Sequence, residues 1–157
     1  MKTLLAFLLL IFLSPLGTAL GCSDVKQNKI KTVLLTTQPV LPKLKVTVGE
    51  KSFIVSLIDS PTTREFVNQL PLTLRMSDIN DREKYSGLPD KLSGEGVVST
   101  TYQIGDLSYW RGGGIAAFYN HDGREVKAGL IVLARLGKNV AHFNTASSIK
   151  VTFAITD

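Results

Sequence analysis

Leu44-Lys45-Val46-Thr47-Val48-Gly49-Glu50-Lys51-Ser52-Phe53-Ile54-Val55-Ser56-Leu57 is the stretch that decides the fold. Leu44, Val46 and Val48 alternate with Lys45 and Thr47, Gly49-Glu50-Lys51 turns the chain, and Phe53, Val55 and Leu57 resume the two-residue period. Successive strand side chains point to opposite faces, so the pattern predicts a hairpin with one buried face.

Downstream, Ser60-Pro61 supplies a cap and a first-turn proline, Phe66, Val67 and Leu70 form a helical stripe, and Pro71 forbids continuation; one helix is expected over about 61–70. Leu72, Leu74 and Met76 alternate with Thr73 and Arg75, predicting a short strand that ends near Ser77-Asp78. Residues 79–105 read as an irregular excursion anchored by Tyr85, Leu88 and Pro89, and so long a segment in a small domain suggests a lid or binding rim. Leu107–Arg111 and Ile115–Tyr119 flank Gly112-Gly113-Gly114, a glycine turn for a hairpin. Leu130-Ile131-Val132-Leu133 reads as a strand buried on both sides, Val140–Phe143 as one helical turn, and Ile149, Val151, Phe153 and Ile155 as a closing half-buried strand. The expected fold is mainly β: a closed barrel with the 61–70 helix plugging an end or side, and a second short helical turn.

Working back toward the N-terminus, Lys2 precedes the apolar run Leu4–Leu13, and Ser14-Pro15-Leu16-Gly17 breaks it, which is the pattern of an export signal. The run falls short of the roughly 20 apolar residues that a membrane span needs. Ala19-Leu20-Gly21-Cys22 resembles the bacterial lipobox, with alanine where leucine is commoner, so residues 1–21 are expected to be removed and Cys22 to carry lipid. Cys22 is the sole cysteine of the 157 residues, so no internal disulfide can form. Residues 22–43 carry Lys26, Lys29, Lys31 and Lys43 with prolines at 39 and 42 and read as a lipidated tether, although Val33-Leu34-Leu35 is apolar enough to dock as an edge strand. Residues 44–157 are then the folded domain, of ordinary single-domain size. The implied location is the bacterial cell envelope, on the outer membrane facing the periplasm where two membranes exist, Ser23 being the residue after the lipid. The net charge of +5 argues weakly for a nearby anionic membrane and gives no reason to expect nucleic acid as a partner.

Leu70-Pro71-Leu72-Thr73-Leu74-Arg75-Met76-Ser77-Asp78, Glu83-Lys84-Tyr85, Leu88-Pro89, Ile104-Gly105-Asp106-Leu107-Ser108-Tyr109-Trp110, Phe118-Tyr119 and Gly129-Leu130-Ile131 resemble the bacterial cyclophilin-like domain family, in its small members rather than its isomerases. The resemblance runs in order over about residues 44–156 and implies the cyclophilin-like closed barrel. Cyclophilin isomerases carry an arginine within Phe-His-Arg and a nearby Gln-Gly-Gly-Asp; this chain has neither, so no catalytic arginine carries over.

Prolyl isomerisation needs no nucleophile and no metal, only a pocket for the ring, an anchor for the flanking carbonyl and a donor aimed at the proline nitrogen to weaken the amide resonance behind a rotational barrier of roughly 18–20 kcal/mol. Arg75 and Arg111 are the candidate donors, and Met76, Tyr85, Trp110 and Tyr119 the candidate ligand-binding residues, in a groove bordered by residues 76–90 and the Trp110 hairpin. Strand alternation sets Tyr109 and Trp110 on opposite faces, so at most one of them meets a given ligand. His121 and His142 stand 21 positions apart and the one cysteine is assigned to lipid, so no metal site and no cofactor is expected. A Gly-x-Ser-x-Gly elbow and a phosphate-cradling Gly-x-x-x-x-Gly-Lys-Ser/Thr loop are both absent. The sequence thus points to a lipid-anchored binding module for a peptide segment or small molecule, with a weak prolyl isomerase and an envelope scaffold as the alternatives.

Overall fold

A computed structural model describes residues 40–156; the export signal, Cys22, most of the tether and Val33-Leu34-Leu35 lie outside the described residues. The chain runs β1 (Lys43–Val48), β2 (Lys51–Ser56), α1 (Pro61–Asn68), β3 (Leu72–Ile79), β4 (Glu83–Gly87), β5 (Asp106–Trp110), β6 (Gly114–Phe118), β7 (Leu130–Arg135), a 3-10 helix (Gly137–Phe143) and β8 (Ile149–Thr156). The strands form one antiparallel sheet in the order β2-β1-β8-β3-β4-β6-β5-β7. Its two edges meet through the Leu57–Ala134 bridge and a 2.8 Å bond from the Ile58 N–H to the Leu133 carbonyl. The result is a nearly closed barrel, as expected.

Each predicted pattern has its physical counterpart. Gly49 takes the β1–β2 turn at φ +58, a conformation that costs glycine nothing. The Ser60 hydroxyl accepts from the Thr63 N–H at 3.0 Å, capping α1, which runs two residues shorter than the expected 61–70. Phe66 of α1 is fully buried and meets Phe153 of β8 edge-on, with ring centres 5.8 Å apart. Leu44, Val46, Met76, Leu107, Ile115, Leu133 and Phe143 complete the interior, each fully buried, and burying one such side chain is worth about 1.5–3 kcal/mol. Among the described residues every member of this core lies between Leu44 and Phe153, within the compact unit Gln38–Asp157. Lys43, assigned to the tether from sequence, is the first residue of β1.

The excursion 79–105 differs from expectation in two ways. Its first part is β4, joined to β3 by the three residues Asn80-Asp81-Arg82, in which the Arg82 N–H bonds back to the Ile79 carbonyl at 3.1 Å and Asn80 and Asp81 both have positive φ, +55 and +52; positive φ at both central residues gives a twist that matches paired strands. The rest, residues 88–105, is pinned rather than free to act as a lid. Leu88 N–H bonds to the Gly113 carbonyl, the Tyr109 hydroxyl donates to the Leu92 carbonyl at 3.0 Å, the Thr62 hydroxyl donates to the Glu95 carbonyl at 2.7 Å, and Ser99 exchanges two backbone bonds with Leu130.

Candidate functional site

Strand alternation divides the expected site residues between the two sides of the wall. Met76 and Tyr119 face the interior: Met76 has no exposed surface, and the Tyr119 hydroxyl donates to Asp78 at 2.5 Å. Neither can line an outer groove, which corrects the sequence reading. Tyr85 and Trp110 face outward and do come together, edge-on at 5.6 Å. Tyr85 lies directly over Gly114, where a β-carbon would stand 2.4 Å from its ring. The pair joins a second apolar cluster of Tyr102, Ala116, Phe118, Val126 and Leu130 on the outside of the sheet.

The two candidate arginines are exposed and apart from each other. Arg75 stands on the outer side of β3 opposite Lys150 of β8. Arg111 lies just past β5 with its side chain over Gly94 and Gly129, each of whose β-carbons would stand 3.3 Å from it. The arginine that lies against aromatic rings is instead Arg82, 5.4 Å from the Tyr102 ring and 5.9 Å from that of Phe118. Its guanidinium is spoken for: Nε and Nη2 donate to Glu83 at 2.5 and 2.9 Å, and Nη1 lies 3.5 Å from Asp122. Arg82 is 5% exposed. The Glu83 carboxylate raises its pKa still further, so it stays a charged structural group with no face turned to a substrate.

A second ionic group sits inside the barrel. Lys84 Nζ, without exposed surface, donates to Asp78 at 2.7 Å, to the Ser147 carbonyl at 3.0 Å and to the Thr145 carbonyl. Burial pushes the Asp78 carboxyl upward, but bonds from Lys84, Tyr119 and the Asp81 amide together hold it below 3.8. Burial, then Asp78, pushes the Tyr119 phenol well above the usual tyrosine range. All three ammonium protons of Lys84 have acceptors, so the group ties β3–β4 to the segment before β8 and leaves no free nucleophile or base. Among the described residues no three His, Cys, Asp or Glu side chains gather where they could hold a metal ion; His121 packs on Tyr102 and His142 on Phe53.

The concavity that sequence reasoning missed is at the barrel seam. A pocket of about 230 Å³ is lined by Ile58, Val97, Ile131 and Val132 with Asp59, Ser60, Ser99 and Arg135. Leu130 exchanges both backbone bonds with Ser99, so its polar groups point away from β5. Antiparallel pairing alternates that direction, and the register Trp110–Leu130, Tyr109–Ile131, Ser108–Val132 therefore turns the Val132 N–H and C=O to the same open side. Among the described residues no backbone group answers them across the seam. Val97, 89% exposed, and Ile58, 39% exposed, stand beside this gap. Nothing in the local sequence marks the site, because it is made where three distant segments fail to meet.

A nearly closed eight-stranded barrel, with its ionic groups locked in structure and an apolar pocket in its wall, has the build of a cyclophilin-type barrel domain. The family model described as the cyclophilin-like family matches residues 46–154, and the chain belongs to that family. The solution structure of the hypothetical protein AF2241 from Archaeoglobus fulgidus is similar, with TM-score 0.61 and 17% identity over 78% of this chain and 100% of that one; at that identity the likeness is one of fold. No curated protein matches the chain.

Proposed function

We propose that the protein is a cyclophilin-like binding module outside the cytoplasm, anchored through lipid on Cys22, that takes an extended peptide segment at the β7 seam. The observation that carries the reading is the Val132 N–H and C=O pair, open between apolar Ile58, Val97 and Ile131. An adjacent donor and acceptor on a strand edge match a peptide backbone, and the flanking pocket selects the side chain. The outer wall of Tyr85 and Trp110, whose rings meet edge-on, is the second contact surface.

Peptide titration followed by amide NMR tests the site. Saturable shifts are expected at Val97, Ser99, Ile131 and Val132, with affinity weakened at least about tenfold by Val97→Asp, which places a charge where an apolar contact is needed. Shifts absent from these residues would remove the seam as the site. The anchor is tested separately, by the mass of the N-terminal peptide from membranes: a diacylated Cys22 is expected, and an unmodified residue rejects the anchor.

The isomerase reading has one observation in its favour. Arg111 is exposed beside Trp110 and has no side-chain hydrogen-bond or ion-pair partner among the described residues. Exchange spectroscopy on proline-containing peptides decides it, since uncatalysed interconversion takes tens to hundreds of seconds. Catalysed exchange that vanishes in Arg111→Ala would make this the activity.

A further inference from the structure

The outward positions of β2, β1, β8 and β3 form one continuous face. The register aligns Ser52, Thr47, Thr152 and Thr73 in a single row across all four strands, with hydroxyl contacts of 2.8 Å between Thr47 and Ser52 and 2.9 Å between Thr73 and Thr152. To one side of this row stand Lys45 and Lys43; to the other, Arg75 stands directly opposite Lys150. All four cations are exposed.

No carboxylate occupies an outward position on these strands; Glu50, in the β1–β2 turn, is followed by Lys51. Lys43 donates to the neutral Ser56 hydroxyl at 2.7 Å, and Lys45, Arg75 and Lys150 have no side-chain partner among the described residues. Like charges directly opposite one another destabilise a sheet pair. An acid at Thr73, Ser77 or Thr152 would relieve Arg75 and Lys150, and each of those positions holds a hydroxyl instead.

We propose that this face docks on an anionic lipid bilayer. The cations extend over roughly 20 Å along the strands and 10 Å across them, from the strand rise and spacing. One phosphate or carboxylate cannot reach them all, whereas a plane of anionic headgroups meets them together, with the hydroxyl row between as further donors. The choice of a bilayer over a soluble polyanion rests on the Cys22 anchor of the preceding section: the chain leaves this face at Lys43, 21 positions after that cysteine (43 minus 22). Docked so, the β4-β6-β5 wall, which carries Tyr85 and Trp110, stays clear of the lipid.

The test is cosedimentation of residues 40–157, without acyl chain or tether lysines, with vesicles of phosphatidylcholine alone or mixed with phosphatidylglycerol. Binding is expected to the mixed vesicles only, and to weaken with salt. Each cation near such a surface contributes about fivefold in partitioning, so Arg75→Ser with Lys150→Ser lowers it roughly 25-fold. Arg111→Ser, an exposed cation off this face, leaves it within about twofold. Equal binding to neutral vesicles, no binding, an equal loss in Arg111→Ser, or tighter binding to heparin than to vesicles overturns the proposal. An unacylated Cys22 in cells rejects the anchor instead, and leaves the vesicle result standing by itself.

Discussion

Lys84 Nζ stands 2.7 Å from Asp78 Oδ2 across the β3–β4 hairpin, the lysine wholly buried and the aspartate side chain 17% exposed. Removing one partner of a buried pair strands the other in a medium that cannot solvate it, at a cost of about 3–5 kcal/mol, while replacing both with apolar groups of similar volume is often neutral. Asp78→Ala is therefore expected to destabilise the domain by about 3–5 kcal/mol in urea unfolding, and Asp78→Leu with Lys84→Met by much less. If the double variant is as unstable as the single one, the loss lies in packing rather than in the stranded charge.

The same pair makes stability depend on acid. The folded Asp78 carboxyl lies below its unfolded value of 3.8, so its contribution is complete above that value and is lost as pH falls through the lower, folded one. As pH falls below about 5, the urea midpoint should drop less steeply in Asp78→Asn than in the parent. Part of the slope will persist, because Asp122 is also depressed, first by the Arg124 amide. Identical slopes would mean that Asp78 does not titrate with folding.

Gly114 is required by Tyr85 rather than by its turn. A β-carbon there would sit 2.4 Å from the Tyr85 ring, and forcing volume into a packed site typically costs about 1–3 kcal/mol. Gly114→Ala should lose that much and alter the emission of Trp110, the sole tryptophan, whose ring packs edge-on against Tyr85. Adding Tyr85→Ser should restore most of the stability; if it does not, the strain lies in the backbone.

How legible these features are follows from how each is made. The alternation from Leu44 to Leu57, the Ser60-Pro61 cap and the Ile149–Ile155 strand are local patterns, and the structure keeps them nearly to the residue. β4 was not legible, because Glu83 and Lys84 read as exposed charges; each is buried only because the fold supplies a counter-charge, Arg82 on one face and Asp78 on the other. Asn80-Asp81, both at positive φ, is the hairpin signal that marks this strand. Among site residues, alternation predicted that Tyr109 and Trp110 part ways, but not that Met76 and Tyr119 face inward, since that depends on which side of β3 and β6 the barrel closes. The Val132 seam has no local signature at all.

Ser108 of β5 is fully buried, and its hydroxyl oxygen has no hydrogen-bond partner among the described residues. Its neighbours across the strands, Ala116 and Val132, have apolar side chains. An unpaired buried hydroxyl forfeits its bonds to water, a cost of about 1–3 kcal/mol, and removing it takes that penalty away while leaving a void of one atom. Ser108→Ala is expected to be neutral or to stabilise the domain by up to about 1 kcal/mol, read as a raised urea midpoint at constant slope. A loss above about 1 kcal/mol would instead show that the hydroxyl is satisfied, by a buried water on the outer side of β5.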